Sequence, residues 1–294
     1  DSIELIKDTI NMGLNVSIET NGTMITESQI KELSQYKDNL SMSISLDGIT
    51  SETNNLTRGN GSFEKTFNTI KTIKKYNIPL RIITVLSDNN YDEIPKLAKT
   101  IHEELGLGFR LLPNIIEYGK GVTANDEYGV SYPKIKKLMD DFYYDFLRKH
   151  AEDENLTIEL NMAIIPIDIY RHSFCPWGKA MLGIGYSGNV ALCHVASDND
   201  MFIFDNVKNN KISDIWKYNK KLLKFVNENP DDLKGVCGNC LARSLCRGGC
   251  RLHAMSKYLG DFYAPDPDCQ KVYDIGMFPE YALDDVEKVC NYEK

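Results

Sequence analysis

Cys237-Gly-Asn-Cys240-Leu-Ala-Arg-Ser-Leu-Cys246-Arg-Gly-Gly-Cys250, followed nineteen residues later by Cys269, puts five thiols into 33 residues. Packing does not call for so many, because a structural cysteine is only a small hydrophobe. Two more thiols stand upstream as Cys175-x12-Gly188-x4-Cys193. Thiolates at short, irregular spacings bind zinc or iron–sulfur clusters, since each supplies a charged sulfur and tight turns aim several at one point. Eight cysteines in 294 residues fall below the density of a disulfide scaffold, and no secretory stretch accompanies them. Cys237-x2-Cys240 would make half of a zinc site, but the x5, x3 and x18 gaps that follow depart from the usual paired pattern. On spacing alone the cysteines bind metal, and iron–sulfur and zinc both stay open.

Outside the cysteines, 42% hydrophobic residues over 294 positions give a globular protein with room for two domains. A net charge of −8 excludes a general nucleic-acid binder, which would carry a basic patch. No apolar run approaches the ~20 residues that span a bilayer, so no membrane partner is expected and the cytoplasm is the expected location. The chain opens at Asp1 without a methionine and runs straight into an amphipathic segment, which reads as a piece of something longer.

Working back to the start, Ile3, Ile6 and Ile10 recur at helical spacing up to Gly13. A strand over Leu14–Glu19 ends at Thr20-Asn21-Gly22, and Thr26 with Gln29 forms a capping box for the next helix. Leu40, Met42, Ile44 and Leu46 alternate with serines and stop at Asp47-Gly48. A helix from Ser62 with Phe63, Phe67, Ile70 and Ile73 follows, then a strand at Leu80–Leu86, a helix through Ile94–Leu105 and a strand at Gly108–Leu112. Such a run of βα units predicts parallel strands with helices outside. Ser43, Ser45 and Asp47 share one face, as do Ser17 and Glu19, which predicts a closed or half-closed barrel with a polar lumen. Chemistry would then sit at the carboxyl ends of the strands. A lumen-facing Glu19 would need a partner, Arg81 or Arg110.

Together, Glu19-Thr20-Asn21-Gly22, Ser43-Ile44-Ser45-Leu46-Asp47-Gly48 and Arg58-Gly59 before Ser62-Phe63-Glu64 resemble the radical S-adenosylmethionine (SAM) enzymes. The cysteines from 175 onward resemble their SPASM extension, which in that family holds two auxiliary [4Fe–4S] clusters. The resemblance implies an α/β fold: a partial (β/α) barrel over 1–125, a helical linker over 126–170 and a small, loop-rich SPASM domain over 171–294. It favours iron over zinc and makes Ile203–Trp216 the connector of the cysteine region. The Cys-x3-Cys-x2-Cys motif of the family's SAM-cleaving cluster is not in this sequence. By analogy the chain then begins inside the barrel, and the third cluster and SAM cleavage belong to an intact parent.

The same resemblance assigns residues. Ser45, Arg58, Asn21 and Glu19 fall on the SAM side, with Arg58 where a guanidinium meets the cosubstrate's carboxylate. Asn54-Asn55 replaces the His-Asp of many relatives. Cys237, Cys240, Cys246 and Cys269 would hold the distal auxiliary cluster, while Cys250 crosses back to join Cys175 and Cys193 at the proximal one. Met181 stands where sulfatase-maturing relatives carry a further cysteine, which leaves the proximal iron open or completed by Cys290. An open iron would suit a substrate thiolate and thioether formation. His194 takes the place of those relatives' aspartate base, so the parent is expected not to be a sulfatase maturase. The implied activity is hydrogen-atom abstraction from a ribosomally made peptide, giving a thioether, a carbon–carbon bond or an oxidised side chain. Its partners are the peptide and a reductant such as flavodoxin or ferredoxin. The alternative is a non-catalytic iron–sulfur scaffold for electron transfer or partner binding.

Overall fold

Residues 2–158, 164 and 175–284 are described by the computed structural model. The chain runs α1 (Ser2–Asn11), β1 (Val16–Thr20), α2 (Glu27–Leu33), β2 (Leu40–Ser45), α3 (Ser51–Arg58), α4 (Ser62–Lys75), β3 (Leu80–Val85), α5 (Ile94–Lys99), β4 (Gly108–Leu112), α6 (Lys120–Tyr128), α7 (Tyr132–Leu138), α8 (Tyr144–Lys149) and β5 (Leu156–Ile158). The five strands form one sheet in the order β1-β2-β3-β4-β5, every pair parallel. Two compact units divide the chain: Asp1–Ile116, Gly121–Leu160 and Ile167–Ser173 form the first, and Glu117–Lys120, Asn161–Pro166 and Phe174–Lys294 the second. Residues 121–160, expected in part as a helical linker, therefore group with the first unit. Leu156 and Ile158 are fully buried in its sheet, opposite β4.

The first unit follows its apolar periods. Ile44, Leu46, Ile82, Phe109 and Leu111 are fully buried along the central strands, and Thr26 and Gln29 close the expected capping box on α2. One row across the sheet joins Glu19, Ser43, Arg81 and Gly108; the next joins Ser45, Ile83, Arg110 and Thr157. Small and polar side chains thus share a face, as a lumen requires. Glu19 lies in the row of Arg81 and its charge favours that guanidinium, as expected, but Glu19 itself is exposed and not buried.

Helix α3 is a second departure, since no helix was expected over 51–58. Its eight residues SETNNLTR contain a single large apolar side chain, so the apolar period is silent, and Thr50 caps it through the Thr53 N–H. Helix α4 presents Ser62, Thr66, Thr69, Ile70 and Ile73 to the core rather than its phenylalanines. Phe63 and Phe67 instead stack on each other at 5.5 Å. The threonine hydroxyls reach back to the first strand's turn: Thr66 Oγ1 donates to Asn21 O (2.9 Å) and Thr69 Oγ1 to Gly22 O (2.7 Å).

The second unit has much less regular structure. Strands β6 (Gly183–Ile184), β7 (Asn189–Ala191) and β8 (Ile203–Asn206) form a small antiparallel sheet. Short helices follow: α9 (Ile212–Tyr218), α10 (Lys220–Val226), α11 (Gly235–Gly238), α12 (Arg243–Cys246), α13 (Arg251–Lys257) and α14 (Pro267–Asp274). Its core gathers Trp177, Val190, Leu192, Phe202, Phe204, Ile215, Leu222 and Phe225, with Met181, Cys193 and Cys250 packed against it. No helix among the described residues is long and apolar enough to cross a membrane.

Candidate functional site

Seven cysteines among the described residues are free thiols, and they fall into two neighbourhoods. Cys237, Cys246 and Cys269 lie near enough to feel one another's charge, and Cys240 acts on Cys246. Cys250 instead feels Cys175 and Cys193. The groups correspond to the distal and proximal sets of the sequence reading, and Cys290 lies outside the described residues. No three His, Cys, Asp or Glu among the described residues converge as tightly as one metal ion demands. A four-iron cubane makes a different demand, because each cysteine takes a separate iron and the sulfurs stand apart around it.

The chemistry of these thiols fits such a group. Burial, with the nearby Asp266 charge adding, pushes Cys237 up to about 12. The same pair of causes takes Cys246 to about 11. Burial raises Cys250 to about 12 and Cys269 well above the ordinary value. Against that cost, amide N–H groups aim at the sulfurs. Asp266 N donates to Cys237 Sγ at 3.2 Å, and backbone N–H groups of Ala242, Gly249 and His253 favour ionised Cys240, Cys246 and Cys250. N–H donors on sulfur favour the thiolate over the thiol, and a buried thiolate needs a cation.

Three buried charges frame the thiols. Arg251, 1% exposed, donates to Phe262 O and Ala264 O at 2.8 Å and to Gly248 O. Arg247 lies 3.9 Å over the Trp177 ring and donates to Val226 O at 3.1 Å. Asp266 caps α14 by accepting from Asp268 N (3.0 Å) and Cys269 N (3.1 Å), and it also accepts from Cys250 N (3.3 Å). Gly248 has φ +77, and a Cβ there would lie 2.6 Å from Arg251 Nη2. Its glycine is thus explained by room for the guanidinium as well as by the left-handed turn. Sequence reasoning missed all three charges; Asp266-Pro267 before a cysteine was a legible N-cap signal. His194, exposed beside Cys193, accepts from Ser197 Oγ through its carbonyl at 2.8 Å.

In the first unit the expected SAM-side residues gather at the carboxyl ends of β1 and β2. Arg58 there forks onto Asp47, with Nε to Oδ2 at 2.5 Å and Nη2 to Oδ1 at 3.1 Å. Asp47, 4% exposed, also accepts from Thr57 Oγ1 (3.1 Å) and Val85 N (3.0 Å). Asn54 and Asn55 serve structure: Asn54 accepts from Asp47 N and donates to Ser62 Oγ, and Asn55 accepts from Phe63 N. Gly48 must be glycine, because a Cβ would meet Asn54 N at 2.6 Å. Ser45 is half-buried and Asn21 is exposed, its Oδ1 accepting from Thr23 N at 3.1 Å.

Comparison with known proteins agrees with this division. Residues 1–101 match the radical SAM superfamily and residues 175–241 the SPASM iron–sulfur cluster-binding domain. The AdoMet-dependent heme synthase of Methanosarcina barkeri is 26% identical over 292 residues, covering 92% of this chain and 78% of that protein. The PqqA peptide cyclase of Rhizobium meliloti is 26% identical, covering 92% and 70%. Among solved structures, native anSMEcpe with bound AdoMet and Cp18Cys peptide shares the fold at TM-score 0.64 and 22% identity, over 90% of this chain and 74% of that one. The parallel sheet, the second unit with its grouped thiols and these two matches agree: the chain belongs to the radical SAM superfamily, in the branch that carries a SPASM iron–sulfur domain.

Proposed function

We propose that this chain belongs to a maturase that abstracts a hydrogen atom from a ribosomally made peptide. Cys237, Cys240, Cys246 and Cys269 would hold one auxiliary [4Fe–4S] cluster, and Cys175, Cys193 and Cys250 a second. The observation that carries the reading is the separation of the thiols into two neighbourhoods, one mostly buried and one partly exposed, each with an N–H donor on sulfur. When bound, the clusters supply one-electron redox capacity. The chain's own residues do the rest. Asp47 holds the Arg58 guanidinium at the strand ends, where with Ser45, Asn21 and Glu19 it would meet the carboxylate and polar groups of SAM. His194 offers an exposed ring beside Cys193 where a substrate proton could be taken. A cytoplasmic flavodoxin or ferredoxin would supply electrons.

Anaerobic reconstitution tests the ligand sets: two clusters per chain are expected, with Cys250→Ala and Cys175→Ala losing one and Cys237→Ala and Cys269→Ala the other. One or two zinc ions without sulfide would overturn it. With Cys-x3-Cys-x2-Cys absent from these 294 residues, the chain by itself is expected to release no 5′-deoxyadenosine from SAM. Heme-synthase relatives favour a second reading, a tetrapyrrole substrate. Candidate peptides and tetrapyrroles, offered to the protein supplemented with the SAM-cleaving segment, separate the two: a peptide losing two hydrogens supports the maturase, and turnover of a tetrapyrrole alone supports the other.

A further inference from the structure

We propose that Asp266 is a positioning residue that sets the reduction potentials of both auxiliary clusters together, through one carboxylate bonded to a ligand of each thiol set. The inference rests on the ligand sets proposed above. Asp266 is 2% exposed. Its Oδ2 accepts from the N–H of Cys250, which belongs with Cys175 and Cys193. Its Oδ1 accepts from the N–H of Cys269, and its own N–H donates to Cys237 Sγ; both of these belong to the other set. One side chain thus bonds to the backbone of a cysteine in each neighbourhood.

Position alone would make Asp266 a helix cap, and Ser or Asn would cap as well. Its charge does more. One carboxylate oxygen is hydrogen-bonded at the backbone of Cys250 and the other at the backbone of Cys269, so the charge stands within a few ångströms of both neighbourhoods. A fixed negative charge in a low-dielectric interior opposes the arrival of an electron nearby. Both clusters are therefore held at lower potential than their cysteines alone would give.

The test is a redox titration of anaerobically reconstituted protein, followed by electron paramagnetic resonance of each cluster. Asp266→Asn keeps the shape and one acceptor, and Asp266→Ser keeps the cap if the amide is not tolerated. Each is expected to move both midpoint potentials in the positive direction. Asp268→Asn is the control: Asp268 bears on Cys269, so only that set's cluster should move. Unchanged potentials in both Asp266 variants, or movement of one cluster only, overturn the inference and leave Asp266 a cap. Wild-type protein that takes up no iron and sulfide fails earlier, and overturns the ligand sets themselves.

Discussion

At the end of β2 a buried carboxylate, Asp47, is met by the fork of Arg58; in the second unit the buried Arg251 is bonded to three backbone carbonyls. Arg247 behaves like Arg251, donating to the carbonyls of Trp177, Phe225 and Val226. The contrast follows from how each unit satisfies its backbone. A parallel five-stranded sheet pairs its own N–H and C=O groups, so charges left inside it can pair with each other. Strands of two to four residues cannot do that for the long loops around the cysteines. There the guanidiniums replace the missing ladder, and metal would complete what they begin.

Stripping the metal tests this division with the largest effect. Both tryptophans, Trp177 and Trp216, lie in the second unit, so their fluorescence reports on it alone. Chelation of the reconstituted protein is expected to abolish the folded tryptophan signal, because metal binding in such domains supplies on the order of 10 kcal/mol of folding energy. Hydrogen exchange in the first sheet should stay slow. Exchange that accelerates equally in both units would show that they do not fold separately.

Arg251→Met comes next. It preserves volume and leaves three buried carbonyls without their donor, a cost of roughly 3–5 kcal/mol at about 1–3 kcal/mol per unsatisfied group with partial relief by water. Urea unfolding followed by tryptophan should move to lower denaturant by that amount, with protection of β2 and β3 unaffected. A change under 1 kcal/mol would mean the loop carbonyls are satisfied by other means. Asp47→Asn probes the opposite strategy and should cost about 2–3 kcal/mol, less than a fully buried pair because Arg58 is part-exposed. Loss of slow exchange at Val85 N, which donates to Asp47 Oδ1, is the local readout.

How much of this could be read beforehand divides along the same line. Leu40, Met42 and Ile44 announce a strand because their burial follows the period of the backbone. Cysteine spacing announced metal-binding thiols because metal ligands come from a short menu of residues, but their division into two groups came from the family resemblance and not from spacing. Helix α3 was silent because its stability comes from caps and from Asn54 and Thr57 bonding to Asp47, none of which is periodic. Arg247, Arg251 and Asp266 were silent for a related reason: charged residues are read as solvent-facing, and only the loop geometry shows that backbone carbonyls and N–H groups await them. Glu19 shares its face with Ser43 and Arg81, as the alternation said, but alternation identifies a face without saying whether anything covers it, and Glu19 is exposed.

The smallest prediction sharpens the comparison at a site where local sequence and structure coincide. Thr26 accepts from Gln29 N at 3.3 Å, and Gln29 Oε1 accepts from Thr26 N at 2.9 Å, so two orphan donors at the start of α2 are satisfied reciprocally. Thr26→Ala removes one acceptor at an exposed helix end, where water can replace it in part. The expected cost is about 1 kcal/mol, confined to the first unit. Because α2 buries Ile30 and Leu33 in the core of the first unit, the loss should appear in the cooperative unfolding of that unit and not as fraying alone. Tryptophan fluorescence should be unmoved. A shift in the tryptophan-monitored transition of equal size would instead tie the sheet and the cysteine loops into one cooperative structure, and the contrast between them would then be one of bonding pattern and not of stability.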